Sequence, residues 1–317
     1  MKTVLALALS AFSIASASSV AAQSGETTAM ITEIKLGRGR VEVQSAGASA
    51  WRPARPLLAL RAGDVVRVSD DATVVVLFTG GRGTARVDRT SSPFTVPAAQ
   101  AGEGKAQKAR DLLQSSVGYL AGSTHETSHA VLATRGAARA PLILAPRNSP
   151  VLPGPLTFEW LGARFSHYTI QVLGPDKAPV IGPREVIGSR WELPADAPAF
   201  SPGTRYVVRV QTSGQSPQEA WFEVVDAARA QTITADLAAL EQTLGADTPP
   251  TSVAVVRAGF LTREGLMHDA RLALTSALAR DPDEPTLHLL LGDIEAKTGL
   301  NTLAAQSYQE AEFLLKK

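Results

Sequence analysis

The chain has 317 residues, 44% of them hydrophobic, and 31 basic side chains against 30 acidic ones give a formal charge of +1. That length allows two or three domains with cores of their own, and the balanced charge offers no basic face for nucleic acid. Cysteine is absent, which excludes disulfides, thiolate metal sites, a cysteine nucleophile and a lipidated N-terminal cysteine.

Met1-Lys2 and the apolar run from Val4 to Ala15 have the charge and length of a secretory signal, and Val20-Ala21-Ala22 ahead of Gln23 supplies a cleavage point. The run is interrupted by Ser10 and Ser13 and falls short of the ~20 apolar residues of a membrane anchor. Residues 1–22 therefore read as a signal peptide, and the exported remainder is expected to have no membrane span. Loss of Lys2 takes the formal charge from +1 to zero.

Residues 30–98 carry strand signals throughout. Ile31–Ile34, Val41–Val43, Val65–Val68 and Thr73–Phe78 are β-branched runs divided by Gly37, Gly39, Gly63-Asp64 and Gly80-Gly81, and alternation at Val41/Val43, Val66/Val68 and Ala85/Val87 turns one face inward. The glycine-rich Gly80-Gly81-Arg82-Gly83 lies between two strands and reads as a hairpin turn, not a phosphate cradle. Gly39-Arg40-Val41-Glu42-Val43, Trp51, Leu58–Leu60 with Gly63-Asp64-Val65-Val66-Arg67, and Ala72–Phe78 before a glycine turn resemble the periplasmic FecR-type domain. Two departures stand out: Val68-Ser69 follows the arginine where Thr is common, and Gly80-Gly81 replaces Asp-Gly. Signal-transducing members of that family carry a cytoplasmic segment and a membrane span ahead of this domain. Neither is read here, so the resemblance implies an all-β periplasmic recognition module and not regulation of a sigma factor.

Residues 105–140 read as a helix and a connector. Ala109, Leu112, Leu113, Val117 and Leu120 recur at helical spacing, with Gly122 placed as a C-terminal cap. The connector contains His125-Glu126-Thr127-Ser128-His129, a literal H-E-x-x-H. On a helix, His125 and His129 would hold zinc with Glu126 as general base. Here the motif follows a helix stop in a small-residue stretch with no third ligand at a family spacing, so a polar loop is the expectation and a zinc hydrolase the remote alternative.

Residues 141–226 return to short strands at Leu142–Leu144, Leu156–Trp160, Tyr168–Val172, Arg190–Leu193, Tyr206–Val210 and Ala220–Val225, which suits an antiparallel sandwich. Phe158-Glu159-Trp160 followed by Tyr168, and Ser201-Pro202-Gly203-Thr204-Arg205-Tyr206, resemble a fibronectin type III or similar Ig-like domain. The resemblance makes Trp160 the core aromatic and Pro202-Gly203 the turn that aims Tyr206 inward.

Residues 227–250 form a linker helix with Ile233, Leu237, Leu240 and Leu244 on one side, ended by Thr248-Pro249-Pro250. In 251–317 the chain echoes itself at a spacing of 34: Ala258/Gly292, Gly265/Gly299, Leu266/Leu300, Ala270/Ala304, Leu274/Tyr308 and Ala277/Ala311. Helices are predicted over Ser252–Glu264, Leu266–Arg280, Glu284–Lys297 and Asn301–Leu315, and they resemble tetratricopeptide repeats. Such arrays build binding surfaces and are stable with three or more repeats. The preceding helix is therefore expected to cap the stack, or a partner to complete it. Val255, Gly259, Leu289 and Asp293 occupy the positions where chaperone-binding repeats place Lys and Asn, so a carboxylate clamp is not expected and an apolar contact with a partner helix is.

No nucleophile elbow or acid–base pair can be assigned, and His167, His268 and His288 are scattered over two domains. The expected class is multi-domain: an all-β FecR-like domain, a fibronectin III/Ig-like β-sandwich and all-α repeat hairpins. The expected role is non-catalytic binding in a periplasm, with no catalytic residues, cofactor or metal. Expected partners are envelope proteins bound through the repeats, with a membrane sensor or cell-wall glycan as further candidates. The alternative is a FecR-like module that senses an envelope receptor or wall ligand.

Overall fold

A computed structural model describes residues 26–98, 107–123, 141–163 and 165–316. Several antiparallel sheets and six helices make a mixed architecture of β units and a helical layer.

The first unit contains β1 (Ala29–Lys35), β2 (Val41–Gln44), β3 (Trp51–Pro53), β4 (Ala59–Leu60), β5 (Val65–Val68), β6 (Thr73–Phe78), β7 (Thr84–Val87) and β8 (Phe94–Thr95). They pair as two four-stranded sheets, β4-β1-β6-β7 and β3-β2-β5-β8. The strand period of two sends Val41, Val43, Val66, Val68, Val74 and Val76 into one shared core. Gly80-Gly81-Arg82-Gly83 lies at the β6–β7 hairpin, with Gly81 and Gly83 at φ of +74° and +75°.

β1 serves two cores. Ala29 and Ile31 face the sheet interior while Met30 joins the helical core. A β-bulge then places Thr32 and Glu33 opposite the single step from Val76 to Val75, after which Ile34 returns to the sheet core. Both polar side chains thereby reach the helices, where Thr32 Oγ1 lies 2.8 Å from Ser252 Oγ.

After α1 (Gln107–Gly122), the second unit holds β9 (Leu142–Ala145), β10 (Ser149–Val151), β11 (Thr157–Leu161), β12 (His167–Leu173), β13 (Pro179–Ile187), β14 (Arg190–Glu192), β15 (Arg205–Gln211) and β16 (Gln218–Val224). The sheets β14-β11-β9 and β10-β16-β15-β12-β13 face one another across Phe158, Trp160, Tyr168, Val208 and Phe222. β10 runs parallel to β16, whereas the other strand pairs of the two sheets are antiparallel. The Ser201 N–H donates to the Tyr206 hydroxyl at 2.8 Å, which fixes the turn ahead of β15.

The helical layer adds α2 (Ala227–Leu244), α3 (Pro250–Arg263), α4 (Met267–Leu278), α5 (Pro285–Lys297) and α6 (Asn301–Leu314). Asp226 caps α2 by accepting from the Arg229 N–H at 2.9 Å. α3 starts two residues ahead of the expected Ser252, because Pro250 is tolerated in a first turn that needs no N–H donor. Gly122, expected as a cap, is the last residue of α1.

The 34-residue period survives as geometry. Gly265 and Gly299 take φ of +82° and +81°. Leu266 N–H reaches Leu261 C=O and Leu300 N–H reaches Glu295 C=O, while Gly265 N–H and Gly299 N–H reach Thr262 and Ala296 C=O. These paired bonds are the glycine-terminated helix stop that satisfies otherwise orphaned carbonyls. α1 and α2 pack on one another and on α3, and all share one apolar core with α4 and α5.

Candidate binding groove

The first β unit holds the N-terminal ends of α3 and α5, while α2 and the second β unit hold their C-terminal ends. At the N-terminal ends, Glu33 Oε1 accepts from the Ser252 N–H at 2.9 Å and from its hydroxyl. Glu284, the N-cap of α5, accepts from the Thr286 N–H and hydroxyl and from the Ile34 N–H of β1. At the C-terminal ends, the Arg229 guanidinium donates to Glu264 C=O at 2.6 Å, and Arg147 and Asn148 donate to Thr298 C=O at 2.9 and 3.3 Å. Glu33 at the start of α3 and the guanidinium groups at both C-terminal ends match the sign of the helix dipole.

Carboxylate oxygens of Glu33, Asp281 and Glu284 lie within 4.8 Å of one another. Each is already held: Glu33 by Ser252, Glu284 by Thr286 and Ile34, and Asp281 by Lys35 Nζ at 2.7 Å. Burial, with Glu33 adding to it, pushes the Glu284 carboxyl up to about 8, against the hydrogen bonds from Thr286 and Ile34.

An open groove lies elsewhere, between α3 and α4. Pro250, Val253, Ala254, Arg257 and Leu261 line one wall, and Asp269, Leu272, Ala273, Ser276 and Arg280 the other. Both sets recur at i, i+3, i+4, i+7 and i+11, so each helix turns one face into the groove. Leu152, just past β10, closes one end, and the hollow measures about 370 Å³, within the size range of ligand clefts. Leu272 is 56% exposed there. Arg257 pairs with Glu241 of α2 at 2.7 Å, and Arg280 forms no ion pair among the described residues. Asp269 accepts from the Leu152 N–H at 3.2 Å, and burial pushes its carboxyl up to about 6. Apolar walls, two cations and one buried acid suit the docking of a side-chain stripe.

The face expected to receive a partner helix is covered by the chain itself. Val255 is fully buried, and a Cβ on Gly259 would meet the Leu120 side chain of α1 at 2.7 Å. Ser115 accepts from Arg263, and Lys297 donates to the Tyr119 hydroxyl at 2.9 Å. Asp293 accepts from the Tyr308 hydroxyl at 2.8 Å, so it too is committed internally.

The histidines do not converge. His167 is exposed on β12, His288 sits near the start of α5 with Nε2 2.7 Å from Pro282 C=O, and His268 lies at the start of α4. Burial first, and Arg271 beside it, hold the His268 imidazole down at about 4, so it is neutral at physiological pH. His125, Glu126 and His129 lie outside the described residues, as does the signal sequence. Arg257, Asp269, Leu272 and Arg280 were legible only as breaks in the period: 34 residues on from Arg257 and Arg280 stand Leu291 and Leu314. Neither the protein-family models nor the curated proteins give a match to this chain.

Proposed function

We propose that this chain is an exported, non-catalytic binding and scaffold protein of a cell envelope, working through protein–protein contact. The groove between α3 and α4 carries this reading, because it presents an exposed leucine between two arginines on a helical layer gripped at both ends. The two four-stranded sheets of the first unit support a FecR-like domain. Three strands facing five, with the Tyr206–Ser201 bond at the start of β15, support a fibronectin-like sandwich. The repeated glycine stops at Gly265 and Gly299 support tetratricopeptide-like hairpins.

Deleting 251–317 would be a poor test, since it removes the helices that both β units hold. Affinity capture from intact envelopes with the native chain and Leu272→Glu is cleaner. The expected result is a defined envelope protein retained by the native chain and lost with the variant. Equal recovery by both would contradict the assignment.

A second reading, sensing of an envelope receptor or wall glycan by the first β unit, draws on a separate hollow of about 380 Å³ lined in part by Arg52, Arg55 and Asp64. It predicts that Arg55→Glu, and not Leu272→Glu, abolishes capture.

A further inference from the structure

β3 and β4 are edge strands of different sheets, and residues 54–58 carry the chain from one to the other. The two edges do not pair, and a hollow of about 380 Å³ lies beside the crossing, within the size range of small-molecule clefts. Leu57 takes φ of +60° at the crossing, a left-handed turn that residues other than glycine rarely adopt. Leu57 is buried in the helical core, whereas its neighbour Leu58 packs on the core of the β unit. The turn thus ties the loop to the helical layer and leaves Leu58 and Ala59 on the wall of the hollow, with Val43 of β2 beside them.

Charge decides what this space accepts. Arg52 and Arg55 both line it. Arg52 donates to the Ser45 hydroxyl at 2.7 Å, a bond that orients the guanidinium without neutralising it. The Arg55 side chain forms no hydrogen bond or ion pair among the described residues. Asp64 is the acid on the lining, and it is buried. One of its oxygens accepts from the Ala46 N–H and the other from the Arg61 N–H, each at 2.9 Å, and it pairs with neither lining arginine. Two cations against one acid leave the lining with a net positive charge of one, which complements a monoanion. A guanidinium matches the planar fork of a carboxylate, and Ser45, accepting from Arg52, keeps its own O–H to donate. We infer that this hollow binds a small monocarboxylate with an apolar body, its carboxylate on Arg52 and Arg55 and its body against Val43, Leu58 and Ala59. The inference rests on the second reading above and gives that hollow the chemistry of its ligand.

The probes are naphthoate and octanoate, with naphthamide and octylammonium as the neutral and cationic counterparts and acetate as the headgroup alone. Isothermal titration into the full chain should show saturable one-site binding of at least one of the two acids. The amide, the ammonium and acetate should each bind about tenfold more weakly or worse. Arg52→Gln and Arg55→Gln should each weaken the acid by about tenfold. Arg38→Gln, which removes the same charge from the exposed β1–β2 turn outside the hollow, should leave binding unchanged. Failure of both acids, equal binding of acid and amide, or equal losses in Arg38→Gln and Arg55→Gln would overturn the inference. Envelope capture that still depends on Arg55 after both acids fail would reject the ligand class alone. Capture indifferent to Arg55→Glu as well would reject the second reading too.

Discussion

The Ile34 N–H of β1 donates to the carboxylate of Glu284, 3.1 Å away and 250 residues later in the chain. One buried acid therefore caps α5 and pins the first β unit to the helical layer. The bulge that sends Thr32 and Glu33 toward Ser252 makes the matching contact at the start of α3.

This seam should weaken as pH rises. Glu284 holds its proton up to about 8 when folded, against an ordinary value of 4.5. The folded chain thus binds a proton that the unfolded chain releases, and stability falls between about pH 4.5 and 8 and levels off above. The full effect is at most ~5 kcal/mol. Asp269 and Glu295 act in the same direction and His268 in the opposite one, so the difference in slope between the native chain and Glu284→Gln over about pH 6.5 to 8 isolates Glu284. Glu284→Gln, which mimics the protonated acid, should flatten the fall in melting temperature over that window. Glu284→Ala, which loses the cap, should be ~1–2 kcal/mol less stable below about pH 4.5, with the gap closing as pH rises. An unchanged slope in Glu284→Gln would reject the assignment.

Leu120 fills the notch that Gly259 leaves on α3. Leu120→Ala should cost ~2–4 kcal/mol by opening a cavity in the shared core. Gly259→Val should cost a similar amount by displacing α1. Urea denaturation measures both, and near-native stability in either would show that α1 is dispensable to the helical layer.

Tyr206→Phe removes the hydroxyl that accepts from Ser201 and keeps the ring stacked on Phe222. The expected loss is ~1 kcal/mol, with groove-dependent capture unchanged. A loss of capture would place the sandwich in the binding event.

The proposed signal peptide predicts a mature N-terminus at Gln23. Intact mass of the exported protein should begin at Gln23, and retention of Met1 would reject cleavage there.

Legibility in the sequence followed burial. β5 and β6 were plain because Val66, Val68, Val74 and Val76 alternate into a core. β13 was missed because Pro179, Gly182 and Pro183 sit in a mostly exposed edge strand, held by pairing to β12 instead of by an apolar face. β10 was missed because three residues centred on Pro150 carry no period. The helices were readable from their stripes and their glycine stops. What fills each helix face was not, because Leu120 reaches Gly259, and β1 reaches Ser252 and Glu284, across long stretches of chain. Arg257 and Arg280 carry no signal of their own and stand out only beside Leu291 and Leu314, 34 residues further on.

The most direct measurement is in-cell photocrosslinking from two exposed apolar positions, Leu272 in the groove and Phe165 on the sandwich. A photoreactive residue at each, followed by mass spectrometry of the adducts, separates the helical groove from the β surface. The account predicts one defined envelope-protein adduct from position 272 and none from 165. Adducts from 165 alone would contradict it and move recognition to the sandwich.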